Sequence, residues 1–359
     1  MADGRITVSD GIIAAVDLEP ASDATGPTSI ITPGFVDLHV HGWGGHDAMG
    51  GPDALDGMAR GLLRRGVTSF LPTAVSAPLD DLSAFAARVR AWRPDAPTDG
   101  AEPLGANLEG PFLAPDRRGA HAVAHLRAPS TVPTSALEPL VDGLRLITIA
   151  PELPGALEAI AWWDARGVTV SLGHSAAEVD TARRGYAAGA TSTTHLFNAM
   201  TGLDHRAPGL ALAALLDPTV AVELIADGHH VHPAMWPLIT ERKSPDRLLL
   251  VSDAVAAAGL GDGRGRLGDL EIEIVGTRVT LAGSTTLAGS AIALDDAVRN
   301  LVASGVALPD AVAAATRAPL AVIGVTDRGR LAVGQRADLV ELDADLAVRR
   351  VMRAGMWVD

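Results

Sequence analysis

The sequence contains no cysteine. That excludes a disulfide framework and any thiolate site, so a metal would have to be held by histidine and carboxylate side chains. It contains a single lysine, Lys243, in the polar segment ERKSPD, and arginine stands almost everywhere else. No apolar run approaches the length of a membrane span, and the opening MADGRITVSDG lacks the basic start and apolar stretch of a signal peptide. A cytoplasmic location is the expectation. Positive charge is scarce as well: 29 Lys and Arg against 43 Asp and Glu give a formal charge of −14. Such a balance disfavours nucleic acid as a partner, while a few placed Arg or His side chains would still suffice for an anionic substrate.

What the sequence does hold is 359 residues, 48% of them hydrophobic, enough for one large core with a small satellite. The stretch PGFVDLHVHGWGG, residues 33–45, organises the rest. Phe35, Val36, Leu38 and Val40 form a short apolar run that reads as a buried strand between Pro33-Gly34 and the glycines after His41. His39 and His41, two apart, share one face of that strand. Neutral imidazoles on a rigid strand are good ligands for zinc or iron. An isolated His-x-His is more often a chance pair, so its weight depends on the remaining chain.

Helical patterns at about 52–65 and 79–92 alternate with GVTSFLPTAVS and PLGANLEGPF, and the alternation continues through LRLITIAPE, GVTVSLGHS, ATSTTHLFNAM, VAVELIADGHH and RLLLVSDA. Eight apolar strand candidates, most separated by a helix, predict right-handed βα units closed into a (β/α)₈ TIM-type barrel over residues 32–328. Most of these runs end in chemically useful residues: His39/His41, Glu109, Glu152, His174, His195, His229/His230 and Asp253. In such barrels the C-terminal strand ends surround one mouth. After the eighth strand, LEIEIVG and TRVTLAG alternate like a surface hairpin, with helices expected at about 291–304 and 309–323. RITV and IIAAV, joined by Ser9-Asp10-Gly11, and three short strands in the tail predict a small β-sandwich domain built from both termini, residues 1–31 and 329–359.

A lone strand-end histidine is usually a satisfied core residue. Glu109, His174 and His195 at three strand ends of one barrel are more specific, because they make the His₂Glu set of an open-sided catalytic metal site. His39 and His41 would supply a second position beside it. A bridging lysine is not available, since Lys243 lies in the wrong place, which leaves Glu109 as the bridging carboxylate. Asp253 reads equally well, taken alone, as a helix cap or salt-bridge partner; beside a metal it becomes the natural general base. His121, in RRGAH, is either structural or a carbonyl-polarising donor. His230, Arg206 and Asn198 are the candidate binders of a polar or anionic substrate.

Taken in order, PGFVDLHVHG, LEGPF, GAH, GHS, THLFNAM, DGHHV, SDA and LAGS resemble the N-acetylglucosamine-6-phosphate deacetylases of the amidohydrolase superfamily, over nearly the whole chain. The resemblance implies a metal on Glu109, His174 and His195, with Asp253 as catalytic acid/base and His121, beside Ala120, at the substrate's acetyl group. It also implies sugar-phosphate contacts from Asn198, Ala199 and His230, a pocket wall of Leu287, Ala288 and Gly289, and a homodimer in which Arg206 reaches the phosphate in the neighbouring site. The cofactor implied is one or two divalent ions per subunit, Zn²⁺ first and Fe²⁺, Co²⁺ or Mn²⁺ as alternatives, the number depending on whether His39 and His41 are used. Relatives carry further strand-forming sequence before this chain's start, so the β-domain is expected to be abbreviated. The implied reaction is hydrolysis of N-acetylglucosamine 6-phosphate in amino-sugar catabolism and cell-wall recycling. The alternatives are the same chemistry on N-acetylgalactosamine 6-phosphate or on a cyclic amide, against which DGHH and THLFNAM argue. A non-catalytic scaffold is the rival from another class, and it would be expected to have lost ligands that this chain retains.

Overall fold

The computed structural model describes residues 3–19 and 29–358; residues 1–2, 20–28 and 359, part of the expected β-domain, lie outside them. Eight strands form the central sheet: β1 Phe35–Val40, β2 Val67–Val75, β3 Ala106–Glu109, β4 Leu144–Ile149, β5 Thr169–Leu172, β6 Ser192–Thr193, β7 Ala221–Leu224 and β8 Leu248–Leu250. Each pairs in parallel with the next, and the short strand Glu102–Pro103 pairs with β2 off this path. Every residue of β1 and β2 is buried, the mark of a sheet covered by helices on its outer face. Between β1 and β8 the ladder gives way to bonds just past the strand ends. Asp253 N–H donates to the His39 carbonyl at 2.9 Å, and His41 N–H to that of Ala254 at 2.8 Å. The Asp37 carboxylate accepts from Ser252 N–H at 3.3 Å, and burial pushes that carboxyl up to about 6. The fold is the (β/α)₈ barrel with a small β-domain formed by both chain termini.

The barrel interior changes character along the strands. Leu71, Leu146, Ala221 and Leu249 pack against Ala318, Leu320 and Ile323, in or next to the helix Arg317–Val322, which plugs the N-terminal end. Two residues further on, the same strands present Thr73, Thr148 and Glu223, joined by Asn107, Ser171 and Thr194, all buried. Beyond these come the strand-end histidines and carboxylates.

The expected helix at about 309–323 is two helices, Leu308–Ala314 and Arg317–Val322. The break turns the Ala315 carbonyl toward β1, where it accepts from Val36 N–H at 2.8 Å. The expected hairpin after β8 is part of a four-stranded antiparallel sheet, Gly263–Leu267, Leu270–Val275, Arg278–Leu281 and Leu287–Ser290. Lys243, although in the polar segment ERKSPD, is not solvated. Its ammonium is buried and donates to the carbonyls of Asp217 and Val220, and burial lowers it to about 8.

From the termini, Asp3–Ser9 and Ile12–Glu19 form a hairpin across Asp10-Gly11, both at positive φ as a tight two-residue turn requires. Ile30–Pro33 joins Leu339–Leu342, Val348–Arg353 and Met356–Val358 in a second sheet. Ile13, Ala337, Leu339 and Met352 are the buried contacts between them. Among the described residues, no helix is long and apolar enough to cross a membrane.

Candidate active site

At the C-terminal end of the barrel, six of the residues singled out in the sequence converge on one carboxylate. Glu109, closing β3, sends Oε1 to His174 Nε2 at 2.9 Å and to His195 Nε2 at 2.8 Å. The two imidazole nitrogens are themselves 3.0 Å apart. Its Oε2 lies 3.2 Å from His41 Nε2 and 3.1 Å from His121 Nε2. Asp253 Oδ1 stands 3.2 Å from His41 Nε2 and 3.6 Å from His39 Nε2. All six, with Glu109, are buried.

The outward ring nitrogens decide what each imidazole can offer. His174 Nδ1–H donates to the Arg117 carbonyl at 2.8 Å, His41 Nδ1–H to that of Thr73 at 3.1 Å, and His39 Nδ1–H to the Glu223 carboxylate at 3.2 Å. With one hydrogen committed there, each of these rings in its neutral form presents a lone pair at Nε2, the ligand tautomer. His121 is held the other way. Its Nδ1 accepts Ser76 N–H at 3.2 Å, so Nε2 carries the hydrogen and is a donor. Burial, resisted by Glu109, lowers His121 to about 4 and keeps it neutral. His121 therefore does not complete a ligand set with Glu109 and His174, although its distances would allow one.

Lone pairs thus meet lone pairs. His39 Nε2 is buried with no hydrogen-bond partner among the described residues. Such an arrangement needs positive charge inside it. Burial would lower His41, but its bonds to Asp253 and Glu109 carry it up to about 9. Burial would raise Glu109, yet the charge of His39 and the hydrogen bond from His121 hold it well below the ordinary carboxylate range. Divalent cations answer the same demand, and the donors, imidazole nitrogen and carboxylate oxygen, suit Zn²⁺ and its neighbours. Two groups come within range, His39, His41 and Asp253 on one side and Glu109 with His174 on the other. His195 Nε2, in contact with both Glu109 and His174, fits as third donor of the second group.

The backbone is unusual at these positions. His174, His195 and Asp253 have φ of 46°, 27° and 52°, and Phe197 and Ala199 also lie in the left-handed region. Non-glycine residues held there persist where surrounding structure fixes them, and they cluster at functional sites. Gly289, at φ 71°, is packed on this turn: a Cβ would fall 2.8 Å from the Asp253 carbonyl, to which the neighbouring Ser290 N–H donates at 2.7 Å.

A cavity of about 310 Å³ opens over the cluster. Its walls include Ala120, His121, Asn198, Ala199, His230, Leu287 and Gly289, all among the residues the resemblance implied for substrate contact; Ala288 is buried beside them. Asp227 takes the His230 Nδ1–H at 2.7 Å; although burial alone would lower the imidazole, this carboxylate raises it. Arg206 is exposed in the loop after Asn198 and does not line the cavity. Glu152 and His229 lie outside it, bonded to Ser175 and Thr277 respectively. Sequence reasoning missed Asp116, Arg117, Leu267 and Thr286 in the wall, and Glu223 behind it. Arg117 stands in the exposed loop after β3 and makes no ion pair among the described residues.

The fold and this site define a class. The chain belongs to the amidohydrolase family, whose sequence pattern matches residues 30–358. N-acetylgalactosamine-6-phosphate deacetylase from Escherichia coli O157:H7 is 40% identical over 98% of this chain and 94% of its own length. N-acetylglucosamine-6-phosphate deacetylase from Bos taurus is 40% identical over 92% of this chain and 83% of its own. Among solved structures, a mutant N-acetyl-D-glucosamine-6-phosphate deacetylase from Mycobacterium smegmatis, in complex with N-acetyl-D-glucosamine-6-phosphate, superposes with a TM-score of 0.89. The two are 37% identical, over 99% of this chain and 94% of that one.

Proposed function

We propose that this chain hydrolyses N-acetylglucosamine 6-phosphate to glucosamine 6-phosphate and acetate, as a cytoplasmic enzyme of amino-sugar catabolism and cell-wall recycling. The observation that carries the reading is the buried meeting of four histidine Nε2 atoms with Glu109 and Asp253 under a cavity open to solvent. Glu109, His174 and His195 would hold one divalent ion, Zn²⁺ in our reading, and His39 and His41 a second, with Glu109 between them. Bound there, a divalent ion supplies Lewis-acid polarisation of a carbonyl and a more acidic water.

The chain's own groups do the rest. His121 Nε2–H, fixed as a donor by Ser76 N–H, lies against Glu109 Oε2 in the cavity wall, and in this reading it turns to support the carbonyl oxygen as negative charge develops on it. Asp253 is held ionised: burial would raise it, but the bond from His41 and the charges of His39 and His41 outweigh that. It takes a proton from the attacking water as the new C–O bond forms. The same proton passes to the amide nitrogen as the C–N bond breaks, releasing the amine and acetate. Asn198, Ala199 and His230, oriented by Asp227, grip the sugar phosphate, with Leu287, Ala288 and Gly289 behind the ring. Arg117 adds a cation at the rim of its own site, and Arg206 serves the neighbouring site of a homodimer.

The second reading keeps the chemistry and changes the sugar to N-acetylgalactosamine 6-phosphate, favoured by the Escherichia coli relative. Acetate release from both phosphorylated sugars and their unphosphorylated counterparts distinguishes them. We expect the highest kcat/KM with N-acetylglucosamine 6-phosphate, and a loss of about 10²–10³-fold without the phosphate, the scale of an unpaired buried charge contact. Preference for the galacto epimer selects the second reading; hydrolysis of none of the four overturns both.

A further inference from the structure

We infer that Glu223 is a positioning residue that builds the His39/His41 metal position and ties it to His195. The inference rests on the metal-dependent reading of the site. Glu223 sits on β7 in the polar layer beneath the cluster and is fully buried. Its companions in that layer, Thr73, Asn107, Thr148, Ser171 and Thr194, are neutral, and among the described residues no Arg or Lys pairs with it. A buried carboxylate without a cationic partner is costly. Its Oε2 accepts from His39 Nδ1–H at 3.2 Å and from His195 N–H at 3.1 Å, while Oε1 is buried with no partner. Positive charge reaches it through the His39 ring, either a proton on that ring or a cation at its far nitrogen, Nε2, which is itself unpartnered among the described residues. Carboxylate, imidazole and cation in line is an arrangement that fixes the ring and raises its basicity as a ligand.

The second bond gives the same oxygen a hold on the other position. His195 has φ 27°, a conformation its own side chain disfavours. Glu223 anchors the N–H of that turn, from which Nε2 reaches Glu109 and His174. One carboxylate oxygen thus orients a histidine of each metal position. Strand β7 is also where an acid looks least necessary, since Val222 and Leu224 beside it are buried apolar residues.

Glu223→Gln separates charge from shape. With its amide oxygen in the place of Oε2, it retains both acceptor bonds and loses only the charge. Metal-free protein is titrated with Zn²⁺ against a competing chelator, and with Co²⁺ while the visible absorption of the ion is followed. Wild type is expected to take two equivalents. In Glu223→Gln the first should bind unchanged and the second about 10–100-fold more weakly, with an altered Co²⁺ spectrum for the second ion and an unchanged circular dichroism spectrum. Glu223→Ala, which loses both bonds, should weaken both equivalents. In a His39→Gln background, Glu223→Gln should have no further effect on metal binding, because its route is gone. Two equivalents at wild-type affinity in Glu223→Gln overturn the inference alone. A wild-type protein that takes one equivalent overturns it together with the two-ion reading, and leaves the single-ion reading standing.

Discussion

Asp253 and His121 face the same cavity with opposite protonation states, and their surroundings dictate which is which. The bond from His41 and the neighbouring imidazoles keep Asp253 below the ordinary carboxylate range against the effect of burial. The Ser76 N–H keeps the hydrogen of His121 on Nε2, beside Glu109 Oε2. An amide at position 253 would preserve size but could not shuttle a proton. Asp253→Asn should therefore lower kcat by about 10²–10⁴ while the ion on Glu109, His174 and His195 is retained; His195→Ala should lose that ion. Activity close to wild type in Asp253→Asn would contradict the assignment of the base. The ligand candidates were legible because each ends an apolar run, where a strand stops and a side chain faces the mouth. Glu223 was not, because one acid inside VAVELIAD reads as ordinary alternation; its signal was an acid within a run otherwise buried. Arg117 carried no signal, since an arginine in PDRRG resembles any loop cation until the cavity wall is known.

Between elements, the seam where β1 meets β8 has backbone bonds past the strand ends in place of a ladder, with the Asp37 carboxylate bridging it. Beside it, Arg65, just after the helix Pro52–Leu63, forks onto Asp295 at 3.0 and 2.9 Å and reaches Asp296 at 2.8 Å. Those acids open the helix Leu294–Ala303, and Asp295 is buried. Removing the cation would leave that carboxylate partly unpaired, with only Arg299 remaining. Arg65→Met should cost about 2–4 kcal/mol by chemical denaturation, whereas Arg90→Met, which breaks the exposed pair with Asp142, should cost less than about 1 kcal/mol. Equal costs would show that the seam is not held this way. The helices at about 52–65 and 79–92 could be read from their apolar periodicity, and the second is observed as Leu79–Trp92. The break near Ala315 could not, because alanine-rich sequence is equally content on either side. What breaks the helix is a partner in β1 that only the fold brings near.

For the molecule as a whole, a net charge of −14 faces an anionic substrate, so local cations must do the steering. The exposed segment carrying Arg206 includes Leu203, 41% exposed, and Arg206 forms no ion pair among the described residues. Both fit a loop that meets a second copy of the chain. If Arg206 serves its neighbour, mixing the weakly active Arg206→Ala with the inactive Asp253→Asn should restore activity, since exchanged dimers then hold one site with both native residues. Subunit exchange without recovery would return Arg206 to its own site or to none. The barrel and the terminal sheets were readable from alternation alone, but nothing in a linear pattern reports which surface faces another subunit. The claim on which everything else depends is that acetate leaves through hydrolysis at the Glu109 cluster, and ¹⁸O-labelled water tests it most directly. Protein stripped by a chelator and then reconstituted with Zn²⁺ should convert N-acetylglucosamine 6-phosphate to acetate carrying one ¹⁸O, and the stripped protein should release essentially none. Equal acetate release before and after stripping, or none after reconstitution, would contradict it.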